Sequence, residues 1–356
     1  MVTVPAERPV VVVAEALAGD PVLVYSTPRD GGGIDFYTYS RETRTIVGAF
    51  GLSVDVRVGT PKLRGRTLVV PVDHSVVIVD LQGNILEAVA TLASDETVVG
   101  LALSSDGTML AIGILSQVTT DSRLVVVELS SNREVLRVSQ EEFAALTALG
   151  APAPTSWFAG DSGVELRAEV GQGATAIPGV SAYLTGHLTV RKGGPRRISE
   201  DGQLALSRAG GAIGACDGPS LAFPALRLEN PRDDTLIVEL SQPNMVVSAS
   251  FVAPRGPGVL YSTSPLRGDC WDNLASETWH LWDGITDSPV SDPEAVLRNW
   301  YGSRLVELEC EGTRSAWQFV RNSADMRCPD GGPAELWLDA ARVDRVTVAG
   351  IVGFAD

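Results

Sequence analysis

The stretch Val98 to Val138 reads VVGLALSSDGTMLAIGILSQVTTDSRLVVVELSSNREVLRV, and its punctuation decides the fold. Four apolar runs of strand length are separated by turn signals at Ser105-Asp106-Gly107, Thr120-Asp121-Ser122 and Ser130-Ser131-Asn132. Asp and Ser side chains bond their own backbone at such sites, and Gly takes the positive φ of a tight reversal. Four short strands joined in this way make an antiparallel meander.

One such sheet leaves both faces uncovered, so a chain built from these units must stack them. The third strand recurs along the chain, as IDFYTYS from Ile34, VVIVDL from Val76, LVVVEL from Leu124, HLTVRK from His187, WHLWDG from Trp279 and ELWLDA from Glu335. The interval between His187 and Trp279 is close to two periods and contains TLIVEL from Thr235. Seven units of about 50 residues therefore account for all 356 residues as one domain. The near-identical phrases VLVYSTP (Val22 to Pro28) and VLYSTSP (Val259 to Pro265) fall in one slot, the second strand of the first and sixth units. Composition agrees: 44% apolar and 20% charged residues with 36 Gly and 21 Pro suit many short strands and tight turns.

The unit LALSSDGTMLAIG followed by LVVVELSSN resembles the WD40-like and TolB-like β-propeller repeats, the latter known from bacteria. In those repeats an S-x-D-G turn joins the first two strands, and an acidic or aromatic residue ends the third. The match weakens in the units at Ile34, Val76 and Trp279 and is degenerate between Ala151 and Asn244. Trp-Asp occurs only at Trp271-Asp272 and Trp282-Asp283. The resemblance implies an all-β, seven-bladed propeller of four-stranded antiparallel blades; six or eight blades, or paired sandwiches, are the alternatives. Ser139 to Ala153 (SQEEFAALTALGAPA) breaks the rhythm, with Phe143, Leu146 and Leu149 on one helical face and Glu141 and Glu142 near its start. It reads as a short helical insert followed by a Pro-containing linker.

A formal charge of −16 opposes binding to phosphate backbones, and no Lys/Arg run provides a local exception, so nucleic acid is excluded as the expected partner. No segment has the roughly 18 uninterrupted apolar residues of a membrane helix. Pro9 to Ala14 (PVVVVA) is only strand-length and lacks the flanks of a signal peptide. The expectation is either a cytoplasmic protein or an extracytoplasmic one whose leader is removed. The four cysteines favour the second. They match no CxxC spacing, and three pairings are available. Cys310 closes one apparent strand and Cys328 sits in the long turn beyond it, so a local bridge is the simplest, leaving Cys216 with Cys270. The alternative is four buried thiols in a reducing cytosol.

His74, His187 and His280 fall at or just before third strands, far from a propeller axis, and are expected to make outer-blade hydrogen bonds rather than a metal site. Nucleophile-elbow, zinc-protease, P-loop and dinucleotide motifs are absent from the sequence. Propeller glycosidases and lyases use carboxylates near the channel. Asp55, Asp161, Glu165 and Asp217 are acidic candidates, each more readily explained as solvated surface. The loop Leu266 to Thr278 (LRGDCWDNLASET) is the richest. Asp269, Asp272, Asn273 and Glu277 offer oxygens to calcium, although their spacing is not that of an EF-hand, and no other cofactor is expected. Trp271, Asp272, Trp279, Trp300 and Tyr301 offer flat apolar faces beside polar groups, as in protein and glycan contact sites; filling gaps between blades is the competing role. The favoured function is a non-catalytic extracytoplasmic propeller that binds a protein, glycan or other ligand through loops on one face. A glycosidase or lyase, and a calcium-stabilised module of a surface assembly, are the alternatives.

Overall fold

The computed structural model describes residues 22–29, 32–52, 61–72, 74–118, 121–147, 151–158, 160, 162–169, 179–191, 196–218, 220–272, 274–322 and 325–355. Seven four-stranded antiparallel blades form a β-propeller, as the repeat count requires. From the inner strand outward, the first blade is Gly350–Ala355, Val22–Pro28, Ile34–Ser40 and Thr45–Leu52. The third, Glu96–Leu103 through Arg133–Val138, is the meander read from the sequence. Outermost strands such as Ile85–Thr91 and Leu236–Ser241 are mostly exposed, whereas second strands such as Thr67–Val72 and Val259–Arg267 are mostly buried.

The ring closes by exchange between the chain's two ends. Gly350–Ala355 pairs antiparallel with Val22–Pro28, from Val22 opposite Ala355 to Ser26 opposite Gly350, so the last strand supplies the inner strand of the first blade. The repeated phrase does mark one slot. Tyr25 and Tyr261 are both fully buried on second strands, and each stacks on its cross-strand neighbour, Tyr37 and His280 respectively, at 5.1 Å. Each hydroxyl then donates to an aspartate, Tyr25 to Asp344 at 2.7 Å and Tyr261 to Asp287 at 2.5 Å.

In the Ser-x-Asp-Gly turn of the third blade, Ser104 Oγ donates to Asp106 Oδ1 at 2.7 Å, and Asp106 Oδ1 accepts the Thr108 N–H at 2.8 Å. Gly107 takes φ 70°. The fifth blade carries the same device at Ser199-Glu200-Asp201-Gly202, where Ser199 Oγ donates to Asp201 Oδ1 at 2.6 Å and the Gln203 N–H follows at 3.1 Å. This second motif lies in the region where the repeat is degenerate, and it relocates two strands. Leu188–Arg191 and Leu236–Ser241, expected as third strands, are the fourth strands of their blades; the third strands are Gly179–Tyr183 and Ala225–Glu229. Helix α1 covers Gln140–Thr147, but the expected linker beyond it is the inner strand Ala151–Trp157 of the fourth blade. Pro152 and Pro154 are tolerated there because an inner strand is a sheet edge.

Each seam between blades needs its own filling. Apolar clusters fill the seams from the fifth blade round to the first and on to the fourth. Between the third and fourth, a Cβ on Gly113 would stand 2.2 Å from the Pro152 carbonyl, so only glycine admits that approach. The seam between the fourth and fifth blades holds a buried ionic group instead. Arg196, fully enclosed, lies 2.7 Å from Asp234, 3.4 Å from Glu165 and 3.7 Å from Glu229, with the Phe158 ring 5.5 Å from its guanidinium carbon. Glu165, expected as solvated surface, is completely buried and accepts from the Ser181 hydroxyl at 2.9 Å and the Arg196 N–H at 3.1 Å. Arg196, Glu165 and Glu229 are all buried, so removing one of them strands the others without solvent, while Asp234 stays partly exposed.

Glu165→Ala is accordingly expected to cost about 3–5 kcal/mol, seen as a lower denaturation midpoint in urea; an unchanged midpoint would show that the network contributes nothing. A second expectation concerns acid. Burial alone would raise the Asp201 pKa, but the Ser199 hydroxyl and the Gly256 and Gln203 N–H groups hold it below the usual carboxylate range. A depressed folded-state value adds stability above the unfolded pKa of about 4, and that stability is lost as pH falls through the folded value. Asp201→Asn should therefore flatten the acid limb of stability against pH, measured by urea melts at several pH values; parallel curves would discount the turn.

Candidate binding cleft

Strands alternate in direction across a meander, so every connection between a second and a third strand emerges on the same face. Among the described residues three of these connections carry insertions, in the fifth, sixth and seventh blades; that of the fourth blade, residues 170–178, lies outside the described residues. In the fifth blade a hairpin (Ile213–Gly214 with Leu221–Ala222) is inserted after Ala205–Ala209. In the sixth, Val259–Arg267 folds back as Cys270–Trp271. Cys216 is bonded to Cys270 and its N–H donates to the Trp271 carbonyl at 2.9 Å, so the two insertions are stapled to each other across the seam. In the seventh, Cys310 is bonded to Cys328 around helix α3, Trp317–Asn322. Both bridges are those expected from spacing and strand position.

Beside the first staple lies a cleft of about 320 Å³. Its inner border is the strand Arg197–Ile198, which pairs with Leu206 and Ala205; the residues that precede Arg196, 192–195, lie outside the described residues. Period-two alternation puts Arg208 on the same face as Leu204 and Leu206, which pack into the seam with the sixth blade. Arg208 reaches the opening where that apolar row ends. Its guanidinium sits 4.7 Å from the centroid of Phe223, and among the described residues it makes no ion pair. Phe223 is held in turn by the sixth blade: its N–H donates to the Val247 carbonyl at 3.2 Å and its carbonyl accepts from Val247 at 2.7 Å. Arg197 marks the other end, donating to the Ser250 carbonyl at 2.8 Å. Leu221, Leu226 and Phe251 supply apolar walls, and Ser248 adds a hydroxyl that donates to Glu277 at 2.8 Å. In a chain of net charge −16, the lining contains two arginines and no carboxylate.

The residues nominated from the sequence lie around this cleft rather than in it. Trp271 is buried against Ala222 and Val246 and plugs the stapled insertions, its indole N–H without a partner. Asp272 is buried, pairs with Arg267 at 2.5 Å, and accepts the Leu274 and Ala275 N–H groups. Trp279, Trp300 and Tyr301 are brought together in the seam between the sixth and seventh blades, with α3 and helix α2 (Pro293–Tyr301). Trp279 stands 6.3 Å from Phe251 and thus backs one wall of the cleft, while Tyr301 meets Phe319 edge-on at 5.2 Å. Burial pushes the Tyr301 pKa up to about 12, assisted by Glu200. Of the calcium candidates, Asp269 is exposed, Glu277 is engaged by Ser248 and Asn273 lies outside the described residues. Among the described residues no three His, Cys, Asp or Glu are grouped to hold a metal.

The histidines do not converge. His280 stacks on Tyr261, His187 stands in the turn before a fourth strand with Tyr183 at 5.9 Å, and His74 is an exposed turn residue. Thr263 Oγ1, His280 Nε2 and Asp287 form a row at 3.4 and 4.0 Å that looks like a nucleophile array. Thr263 is buried, however, and its hydroxyl already donates to the Thr278 carbonyl, so no substrate atom reaches it. Asp55 and Asp161 lie outside the described residues, and Asp217 is exposed. Arg208 and Phe223 were missed in the sequence because neither carries a motif; the available signal was an arginine continuing an apolar alternation, LALSR.

No family model matches the chain, and no curated protein does. Among solved structures, a functionally unknown protein from Desulfotomaculum acetoxidans is 11% identical with a TM-score of 0.48, covering 94% of this chain and 98% of that one. An oligogalacturonate lyase in complex with manganese is 14% identical, at 0.45, over 93% and 89%. The β-propeller domain of a Trilobed protease from Pyrococcus furiosus is 9% identical, at 0.44, over 76% and 80%. Identities this low leave site residues unconstrained, and none of these proteins assigns an activity to this chain.

The two disulfides should differ in reactivity, because Cys216 is exposed and Cys328 is 3% exposed. Partial reduction followed by alkylation and peptide mass spectrometry is expected to label Cys216 and Cys270 first. The reverse order would mean that the stapled insertions shield their bridge better than the seventh blade shields its own.

Proposed function

We propose that this protein is a non-catalytic, extracytoplasmic binding propeller whose ligand, a glycan chain end, seats in the cleft between the fifth and sixth blades. The observation that carries this is the cleft's construction: two insertions from neighbouring blades, bonded to each other by Cys216 and Cys270, beside a cavity of about 320 Å³. That volume falls in the range of small-ligand sites. Two disulfide bonds support an oxidising compartment. The lining consists of arginine, serine and apolar side chains, groups that hold a ligand through guanidinium, hydroxyl and flat apolar contacts rather than groups that move protons near neutral pH. A glycan presents hydroxyls and apolar ring faces together, which is the complement of Ser248 beside Phe223 and Leu221.

Screening the oxidised protein against an immobilised glycan panel tests this. Wild-type protein is expected to retain a defined subset of glycans, and Phe223→Ala to lose them by about tenfold or more with melting temperature little changed. Retention that survives Phe223→Ala would move the site elsewhere. Conversion of the retained glycan to shorter or unsaturated products would replace binding with the glycosidase or lyase alternative.

A further inference from the structure

We infer that the cleft selects an acidic glycan: an oxyanion carried on a sugar ring, docked against Arg208 with the ring lying along the apolar wall. This rests on the reading of the cleft as the binding site and adds the chemistry by which it discriminates.

A chain of net −16 repels anions at long range, so an anion-binding site in it must be built locally. Arg208 and Arg197 both line the one cleft, and they enter from different strands of the fifth blade. Many of the chain's arginines are neutralised by carboxylates, as in the pairs Arg123–Glu96, Arg137–Glu134 and Arg298–Glu294. Among the described residues, Arg208 is not. Its partner is the Phe223 ring at 4.7 Å, a contact that orients the guanidinium plane while leaving its N–H edge free for an acceptor. Arg197 donates one N–H of its Nη1 to the Ser250 carbonyl, which fixes its head at the inner edge of the sixth blade.

The position of Phe223 is independently fixed. Paired backbone bonds to Val247 at 3.2 and 2.7 Å hold it, and the bridge from Cys216 to Cys270 ties the same hairpin to the sixth blade. The stack is therefore pre-organised, so ordering it costs little when a ligand arrives. A planar guanidinium edge matches two oxygens of a carboxylate or of a sulfate ester, and the charged hydrogen bonds it makes are roughly twice as strong as neutral ones. The apolar side chains of the lining that remain at least partly exposed, Leu221 and Phe223, then meet the ring that carries the oxyanion. Glu277, which accepts from Ser248 at the cleft's side, disfavours a second negative group there, so one anionic substituent per ring is the expected limit.

Isothermal titration calorimetry on the oxidised protein separates the outcomes. The probes are a glucuronate-containing disaccharide, a monosulfated disaccharide, the neutral disaccharide of the same linkage, and sodium acetate and sodium sulfate alone. One of the two acidic disaccharides is expected to bind at least about tenfold more tightly than the neutral one, with affinity falling as salt rises. Whichever of the two binds identifies carboxylate or sulfate as the oxyanion. Arg208→Gln should remove that preference and the salt dependence while the melting temperature stays near wild type, and Arg197→Gln should reduce both in part. Should Arg208→Gln fold poorly, the neutral-versus-acidic comparison on wild-type protein still decides. Equal affinity for neutral and acidic disaccharides would overturn the oxyanion inference and leave the cleft as a glycan site. Acetate or sulfate binding as tightly as the disaccharides would also overturn it, marking an adventitious ion only. Heat-silent titrations with every saccharide would sink both.

Discussion

Ring closure is the constraint on which the remaining structure depends. A blade cannot bury its two faces alone, so each must find a neighbour on either side, and the series ends only when the last blade meets the first. Here that meeting is covalently continuous: Gly350–Ala355 leaves the seventh blade and becomes the inner strand of the first. Tyr25 seals the same seam by reaching from the first blade to Asp344 in the seventh, its hydroxyl held protonated by burial and by that carboxylate. The first blade thus depends on residues more than three hundred positions away in sequence.

Given a closed ring, the seams decide what each blade can carry. Most are filled by interlocking Val, Leu and Ile, which make few demands beyond volume. The seam between the fourth and fifth blades is different in kind, since Arg196 and three carboxylates must all be satisfied together. On the other side of the fifth blade an apolar cluster fills the seam as far as Leu204 and Leu206, and beyond it the seam opens at Arg208. The cleft is the space left over, and the stapled insertions cover it. Concentrating disulfides in the last three blades follows from the same logic: long connections carry little core of their own, and a covalent tie restricts their unfolded freedom.

Legibility in the sequence followed the range of the interactions involved. The third blade was readable because its turns are local: Asp106 bonds the N–H two residues ahead, and Gly107 needs positive φ. The same turn at Ser199 to Gly202 was equally legible and places the fifth blade, but the degenerate strands around it drew the third-strand assignment to Leu188–Arg191 and Leu236–Ser241. Those segments have strand character and the right composition; only pairing distinguishes a third strand from a fourth. The Trp-rich loop drew attention for its composition. Whether an indole faces solvent or a neighbouring hairpin is settled by what packs against it, and Trp271 meets Ala222 and Val246.

By itself the sequence determined the all-β class and the shared slot of the two VL-YST phrases, and it made seven units and the pairs Cys310–Cys328 and Cys216–Cys270 the simplest reading. Each of these depends on alternation, turn chemistry or spacing, which act over a few residues or count whole units. Tertiary structure alone decided that Glu165 is buried, that the chain's end completes its beginning, and that Arg208 stands over Phe223. These are contacts between blades. Nothing in the local pattern of one blade specifies which side chain of the next will face it, because that is set by the angle at which the closed ring brings them together.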